Sequence, residues 1–105
     1  MTLDELKKFA AEEKERLEKH FPIADKEKAI FARMTKIMEE LGELSEAVLS
    51  YYSLQRKDKK QKGKVDLERE LADTMIGLVL LAEQTGIDIE KALREKIAII
   101  RTRKY

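Results

Sequence analysis

Apolar residues recur at three- and four-residue steps along most of this chain, and that spacing is typical of helices packed along one face. Only one of the 105 residues is proline and four are glycine, while 41% are charged, so long amphipathic helices can run with few interruptions. The length suits a single domain over residues 1–105. We therefore predict an all-α fold, an antiparallel bundle of about four helices.

Local signals predict the bounds of the first two helices. The first follows a capping box that begins at Thr2 and runs to about His20. Pro22 then breaks the helical hydrogen-bond ladder, and Asp25 can cap the next helix. This second helix, the longest of the set, is predicted to continue to about Leu54.

Similar signals divide the second half of the chain. Residues 55–64 lose the apolar periodicity and are rich in lysine, which predicts an exposed, solvated loop. Asp66 is predicted to cap the third helix, and Gly86 to end it in the left-handed conformation. Asp88 is predicted to start the fourth helix.

The third helix has an unusual composition, because residues 74–82 read TMIGLVLLA with no charge on any face. A helix that is apolar all round must be covered all round. Four helices in one small subunit do not suffice to enclose it. We therefore predict a homodimer in which a second bundle packs against the third helix.

The charge balance and the absence of cysteine exclude several classes of function. Twenty-two basic residues against 21 acidic ones give a net charge of +1, so we expect neither a nucleic-acid partner nor a membrane surface. Without cysteine there are no disulfides and no thiolate metal sites, which fits a reducing compartment and predicts a cytoplasmic protein. The first residues are too charged for a signal peptide, and the longest apolar stretch is too short to span a bilayer.

Two acidic pairs differ from the rest by their surroundings. Glu40 and Glu43, like Glu70 and Asp73, are three residues apart and so lie on adjoining turns of one helix face. The spacing alone is weak evidence, because E-x-x-E occurs four times in the chain. However, Glu40 borders an apolar stripe, and Asp73 stands at the start of the apolar helix, where we expect it to be buried.

Four carboxylates that converge from two facing helices would repel one another strongly, and a divalent cation would relieve the repulsion. Hard oxygen ligands suit Mg²⁺, with Mn²⁺ as a substitute, and Mg²⁺ is commonly completed by substrate phosphates. The alternative is a solvated acidic face, with Arg69 and Arg94 as structural ion-pair partners.

The stretch KIMEELGELSEA, residues 36–47, and the stretch ELADTMIGLVLLAEQTGIDIEKAL, residues 70–93, resemble the MazG-like nucleotide pyrophosphohydrolases. The signature of that family is E-x-x-E, a variable insert and then E-x-x-D. The similarity covers residues 30–105. It implies an all-α fold, a dimeric or tetrameric assembly, and cleavage of a nucleoside triphosphate to the monophosphate and pyrophosphate.

The resemblance also implies roles for individual carboxylates. Glu40, Glu43, Glu70 and Asp73 would be the Mg²⁺ ligands and form the catalytic set. One of the glutamates would help to deprotonate the attacking water, and the resemblance does not say which.

Substrate-binding roles are implied for three basic residues. Lys36, one turn before the first acidic pair, matches a position that is often basic and would contact phosphate. Arg103 and Lys104 fit a basic pattern of the nucleotide site near the C-terminus. Ile100 stands where the family pattern has an asparagine, so the recognition of base or sugar is expected to differ here.

Two other functions compete with this prediction. Phosphoribosyl-ATP pyrophosphohydrolase shares the fold and the acidic motif, but it typically carries Tyr-His where this chain has Ile76-Gly77. A catalytically silent helical dimer, acting as scaffold or regulator with vestigial carboxylates, is the rival of a different class. The sequence does not name the base, the sugar or the physiological substrate.

Overall fold

The computed structural model describes residues 1–54 and 62–105. In these two ranges the chain forms four α-helices and no strand, which confirms the all-α prediction. The helices are α1 (Leu3–His20), α2 (Lys26–Tyr51), α3 (Lys64–Thr85) and α4 (Ile89–Arg101). Most of the predicted lysine-rich loop, residues 55–61, lies outside the described residues.

Three helices begin at the residues that the sequence predicts as caps. The side chains of Thr2, Asp25 and Asp88 each accept a hydrogen bond from the backbone N–H three residues later, at 3.2, 3.1 and 3.1 Å. These bonds satisfy backbone donors that the first turn of a helix otherwise leaves unpaired. Gly86 follows α3 with a φ of 71°, which confirms the predicted left-handed stop.

Two predicted bounds are wrong. The second helix ends at Tyr51, two residues before Ser53. Ser53 has a positive φ of 56°, a conformation in which a right-handed helix cannot continue. The third helix starts at Lys64, so Asp66 lies inside the first turn instead of capping it. The Asp66 carboxylate still serves the helix start, because it reaches back and accepts a 2.9 Å hydrogen bond from the N–H of Gly63.

The chain divides into two compact units. The first combines residues 1–22 with residues 79–105, and thus contains α1, the last turns of α3, and α4. Lys7 Nζ lies 3.7 Å from Asp88 Oδ1, which connects α1 to the cap of α4. The buried apolar residues of this unit are Ala10, Val79, Leu80 and Ala82. The expectation of one domain over residues 1–105 stays a prediction.

The second unit, residues 23–78, contains α2 and most of α3. Gly77 lies beside Ile37, whereas the backbone N–H of Lys62 donates a hydrogen bond to the hydroxyl of Ser50. Residue numbers along the two helices therefore run in opposite directions, so α2 and α3 are antiparallel. The buried residues of this unit include Ile37, Ala47, Ser50, Thr74 and Gly77.

The single chain leaves one side of α3 uncovered. Leu71, Met75 and Leu78 are 50%, 53% and 47% exposed, while Thr74 and Gly77 on the same helix are buried. Coverage all round would thus have to come from another molecule. Within residues 1–54 and 62–105, no helix is long and apolar enough to cross a membrane.

Candidate active site

The four predicted carboxylates all belong to the second unit. Glu40 and Glu43 lie on consecutive turns of α2, and Glu70 and Asp73 on consecutive turns of α3. Because the helices are antiparallel, the first residue of one pair faces the second residue of the other, so Glu40 faces Asp73 and Glu43 faces Glu70. The principal charge interactions follow this order, since Glu40 is repelled most by Asp73, and Glu70 by Glu43.

Glu70 is a half-buried carboxyl group in a strongly negative environment. Burial raises its pKa above the ordinary value, and the charge of Glu43, a hydrogen bond to Glu43 and the charge of Asp73 raise it further. Lys62 opposes these effects. Oε2 of Glu70 is buried and has no hydrogen-bond partner among the described residues. An ionised group left in this condition destabilises the fold.

Glu40 shares these properties. Its pKa is raised, first by burial, then by the charge of Asp73, and to a smaller degree by Glu43. Its Oε2 atom is also buried without a hydrogen-bond partner in the described part of the chain. The facing helices therefore each present one buried carboxylate oxygen that has no hydrogen-bond partner among residues 1–54 and 62–105.

The expected burial of Asp73 is wrong for the single chain. Asp73 is exposed, and Glu70 is the more buried member of the pair on α3. The reason is rotation about the helix axis. Thr74 occupies the buried position at this level, and each residue turns the helix by about 100°, which carries Asp73 away from that position.

The donor set suits a hard divalent cation in charge and in type. Carboxylate oxygens are the ligands that Mg²⁺ and Mn²⁺ prefer. A cation would offset both causes of the raised pKa values of Glu40 and Glu70, which are burial and, second to it, repulsion by neighbouring carboxylates. As the side chains are oriented, no three acidic or histidine side chains within residues 1–54 and 62–105 are close enough to hold one ion. Shared coordination thus requires rotation about side-chain torsions.

Two basic residues of α2 lie near Glu40 and lower its pKa. Lys36, predicted to bind phosphate, is exposed, and its Nζ lies 3.4 Å from Oε1 of Glu39. Arg33 is half-buried, and its Nε has no hydrogen-bond partner among the residues that the structure describes. Sequence reasoning missed Arg33, although its seven-residue spacing from Glu40 places both on one helix face.

Lys62 is a third cation close to the acidic residues. Its Nζ lies 4.0 Å from Oε2 of Glu46, and its charge lowers the pKa of Glu70. The lysine-rich segment was expected to be solvated, yet the side chain of Lys62 is only 28% exposed. This residue therefore belongs to the electrostatic surroundings of the site.

The two C-terminal basic residues lie in the first unit. Arg103 and Lys104 follow the last turn of α4 and are both exposed. Ile100, within α4, is 40% exposed. The role of these residues in nucleotide binding stays a prediction.

Fold and site together define an all-α protein in which two antiparallel helices present paired carboxylates to each other. The model of the MazG nucleotide pyrophosphohydrolase domain matches residues 29–104. The chain therefore belongs to this family, and its membership indicates a nucleotide pyrophosphohydrolase activity in general. The matched range includes every predicted site residue. Neither a curated protein nor a solved structure gave a match.

Proposed function

We propose that this protein hydrolyses a nucleoside or deoxynucleoside triphosphate between its α- and β-phosphates, as a housekeeping enzyme of the cytoplasmic nucleotide pool. Glu40, Glu43, Glu70 and Asp73 are the proposed Mg²⁺ ligands and catalytic residues, with Mn²⁺ as a substitute metal. The observation that carries this proposal is the pair of buried carboxylate oxygens, one on each facing helix, for which the described part of the chain offers no hydrogen-bond partner. Family membership supplies the nucleotide chemistry.

Each group has a proposed role. The cation, when bound, neutralises charge on the phosphates and polarises the water that attacks phosphorus. One glutamate accepts the proton of that water. Glu40 and Glu70 are the candidates for this role, because each has a buried carboxylate oxygen that accepts no hydrogen bond from the described residues.

Arg33 is the cation of α2 that we propose for binding a phosphate oxygen, together with Lys36. Guanidinium groups bind phosphate oxygens with strong, charge-assisted hydrogen bonds. Arg33 has a buried Nε donor without a partner in the described residues, whereas Lys36 already pairs with Glu39. Arg103 and Lys104 are further candidates for the nucleotide.

The reaction is tested by incubating the protein with Mg²⁺ and a panel of ribo- and deoxyribonucleoside triphosphates. We expect equal amounts of pyrophosphate and nucleoside monophosphate from at least one substrate. Release of orthophosphate would place the cleavage at another bond. Turnover of phosphoribosyl-ATP in preference to every simple triphosphate would favour the histidine-pathway activity, and silence with all nucleotides would favour a scaffold.

Self-association is the second part of the proposal. Both helices of the second unit expose a row of apolar side chains in the single chain. On α3 the row consists of Leu71, Met75 and Leu78, and on α2 it consists of Phe31, Met34, Met38 and Leu41. The α2 row is 43–66% exposed. A second copy of the chain that covers these rows would remove a large apolar surface from water.

Replacing Met75 by glutamate is therefore expected to give a monomer, because a charge would be buried in the contact between copies. Val65→Glu is the matched control. Val65 lies on the same helix with nearly the same exposure, 55% against 53%, but about a third of a turn away from the row. Sedimentation measures the outcome. A wild-type chain that sediments as a monomer at micromolar concentration would contradict the dimer.

A further inference from the structure

Gly77 lies in the interior of α3, opposite Glu40 on α2, and we propose that it positions the carboxylate of Glu40 by leaving room for it. This inference rests on the proposed metal site. It assigns a role to a residue that contacts neither metal nor substrate, and that acts through the orientation of Glu40.

The space around Gly77 is occupied by two side chains of α2. A Cβ atom at this position would lie 3.2 Å from Cγ1 of Ile37, 3.3 Å from Oε2 of Glu40 and 3.9 Å from its Cδ. The first two distances are shorter than ordinary carbon contacts. The Glu40 carboxylate thus rests against the bare backbone of α3, in the volume that any other residue would fill.

No backbone requirement explains this glycine. Gly77 has a helical conformation, and the glycine with a positive φ in the described residues is Gly86. Glycine is also among the least favourable residues in a helix interior. The second glycine inside a helix, Gly42, differs from Gly77, because a Cβ there would meet nothing within 4 Å.

Adding a methyl group at position 77 would displace Glu40 in preference to Ile37. Ile37 is 1% exposed and held in a packed core, so it has little freedom to move. Glu40 is half-buried and can rotate about its side-chain torsions. Its oxygen would then shift away from α3, the helix that carries Glu70 and Asp73. Ligands displaced from their binding geometry bind metal more weakly.

The test compares Mn²⁺ binding by Gly77→Ala and Gly42→Ala, with free Mn²⁺ followed by electron paramagnetic resonance. We expect the affinity of Gly77→Ala to fall roughly tenfold or more, as for the loss of a group that orients a ligand. Gly42→Ala, also a glycine-to-alanine change inside a helix, should bind like the wild type. Equal affinities for all three proteins would overturn the positioning role.

A metal-free measurement tests the contact itself. A double-mutant cycle compares the wild type, Gly77→Ala, Glu40→Ala and the double variant. Urea unfolding measures the free energy of unfolding of each of the four proteins. We expect the substitution at 77 to cost less stability when residue 40 has no carboxylate. If Gly77→Ala alone is too unstable to measure, recovery of a folded protein in Gly77→Ala/Glu40→Ala gives the same result. An equal loss in both backgrounds would mean that only Ile37 is disturbed, and would refute the inference.

The two failures are distinguishable. A wild-type chain that binds no Mn²⁺ would refute the metal site, and the positioning role with it. Mn²⁺ binding that Gly77→Ala leaves unchanged would refute the role of Gly77 alone.

Discussion

Glu70→Gln is expected to lower the rate of pyrophosphate release by roughly 100-fold to 10,000-fold, the range typical for loss of a group that transfers a proton. The amide keeps the size of the carboxyl group but removes its negative charge and its ability to accept a proton. It is also a weaker ligand for a hard cation. The value of kcat, measured by pyrophosphate detection at saturating Mg²⁺ and nucleotide, is the readout, and Asp73→Asn should act in the same direction.

Glu68→Gln is the control for this prediction. Glu68 lies on the same helix, is exposed, and pairs with Lys64 at 3.9 Å instead of facing α2. We expect it to leave the rate unchanged. The metal-free Glu70→Gln protein should be at least as stable as the wild type, because the neutral amide removes repulsion from Glu43. A Glu70→Gln protein with wild-type activity would show that the acidic pairs are not catalytic.

Mg²⁺ or Mn²⁺ is expected to raise the melting temperature strongly. A ligand that binds only the native state at 100 times its dissociation constant adds about 2.7 kcal/mol, which corresponds to roughly 10 °C or more for a chain of this size. The variant Glu40→Gln/Glu70→Gln should show little of this shift. Differential scanning calorimetry with and without metal measures it. No shift at millimolar metal would favour the non-catalytic scaffold.

The metal effect should depend on pH in a direction that the two raised pKa values determine. In the metal-free protein, Glu40 and Glu70 bind a proton more tightly in the folded state than in the unfolded state, because their pKa values are raised in the folded state. Their contribution to stability is therefore fully present below pH 4.5, the ordinary pKa of a glutamate. That contribution is lost as the pH rises through the folded pKa values. Metal binding requires the ionised groups, so the metal-induced shift should shrink toward acid pH. An equal shift at pH 4.5 and pH 8 would contradict this expectation.

Local signals allowed three of the four helix starts to be predicted from the sequence. Thr2, Asp25 and Asp88 bond to backbone groups only three residues away, and Gly86 needs only its own φ, so neighbouring residues determine these features. Asp66 misled the prediction, because an acidic residue in the first turn serves the helix start as well as a capping one does.

Burial and partners of the site residues could not be predicted in the same way. Spacing put Glu70 and Asp73 on one face, but which of them is buried depends on the rotation of α3 against α2, and the sequence does not encode that angle locally. The same applies to Arg33, which became a candidate because its Nε is buried and none of the described residues accepts its hydrogen bond. The exposure of the apolar row of α2 likewise depends on how the helices pack, and the single chain leaves this row uncovered.

The hydrogen bond from Lys62 to Ser50 has a consequence for how chains of this type can vary in length. It joins the end of α2 to the residues just before α3. Glu43 and Glu70, which face each other, lie within the two helices, on the other side of this hydrogen bond from the connecting segment. Insertions or deletions between residues 54 and 62 would therefore leave the alignment of the carboxylates unchanged. Doubling the length of such a connection costs only about 0.6 kcal/mol in closure entropy. We therefore expect relatives that keep the same chemistry to differ in length mainly in this segment.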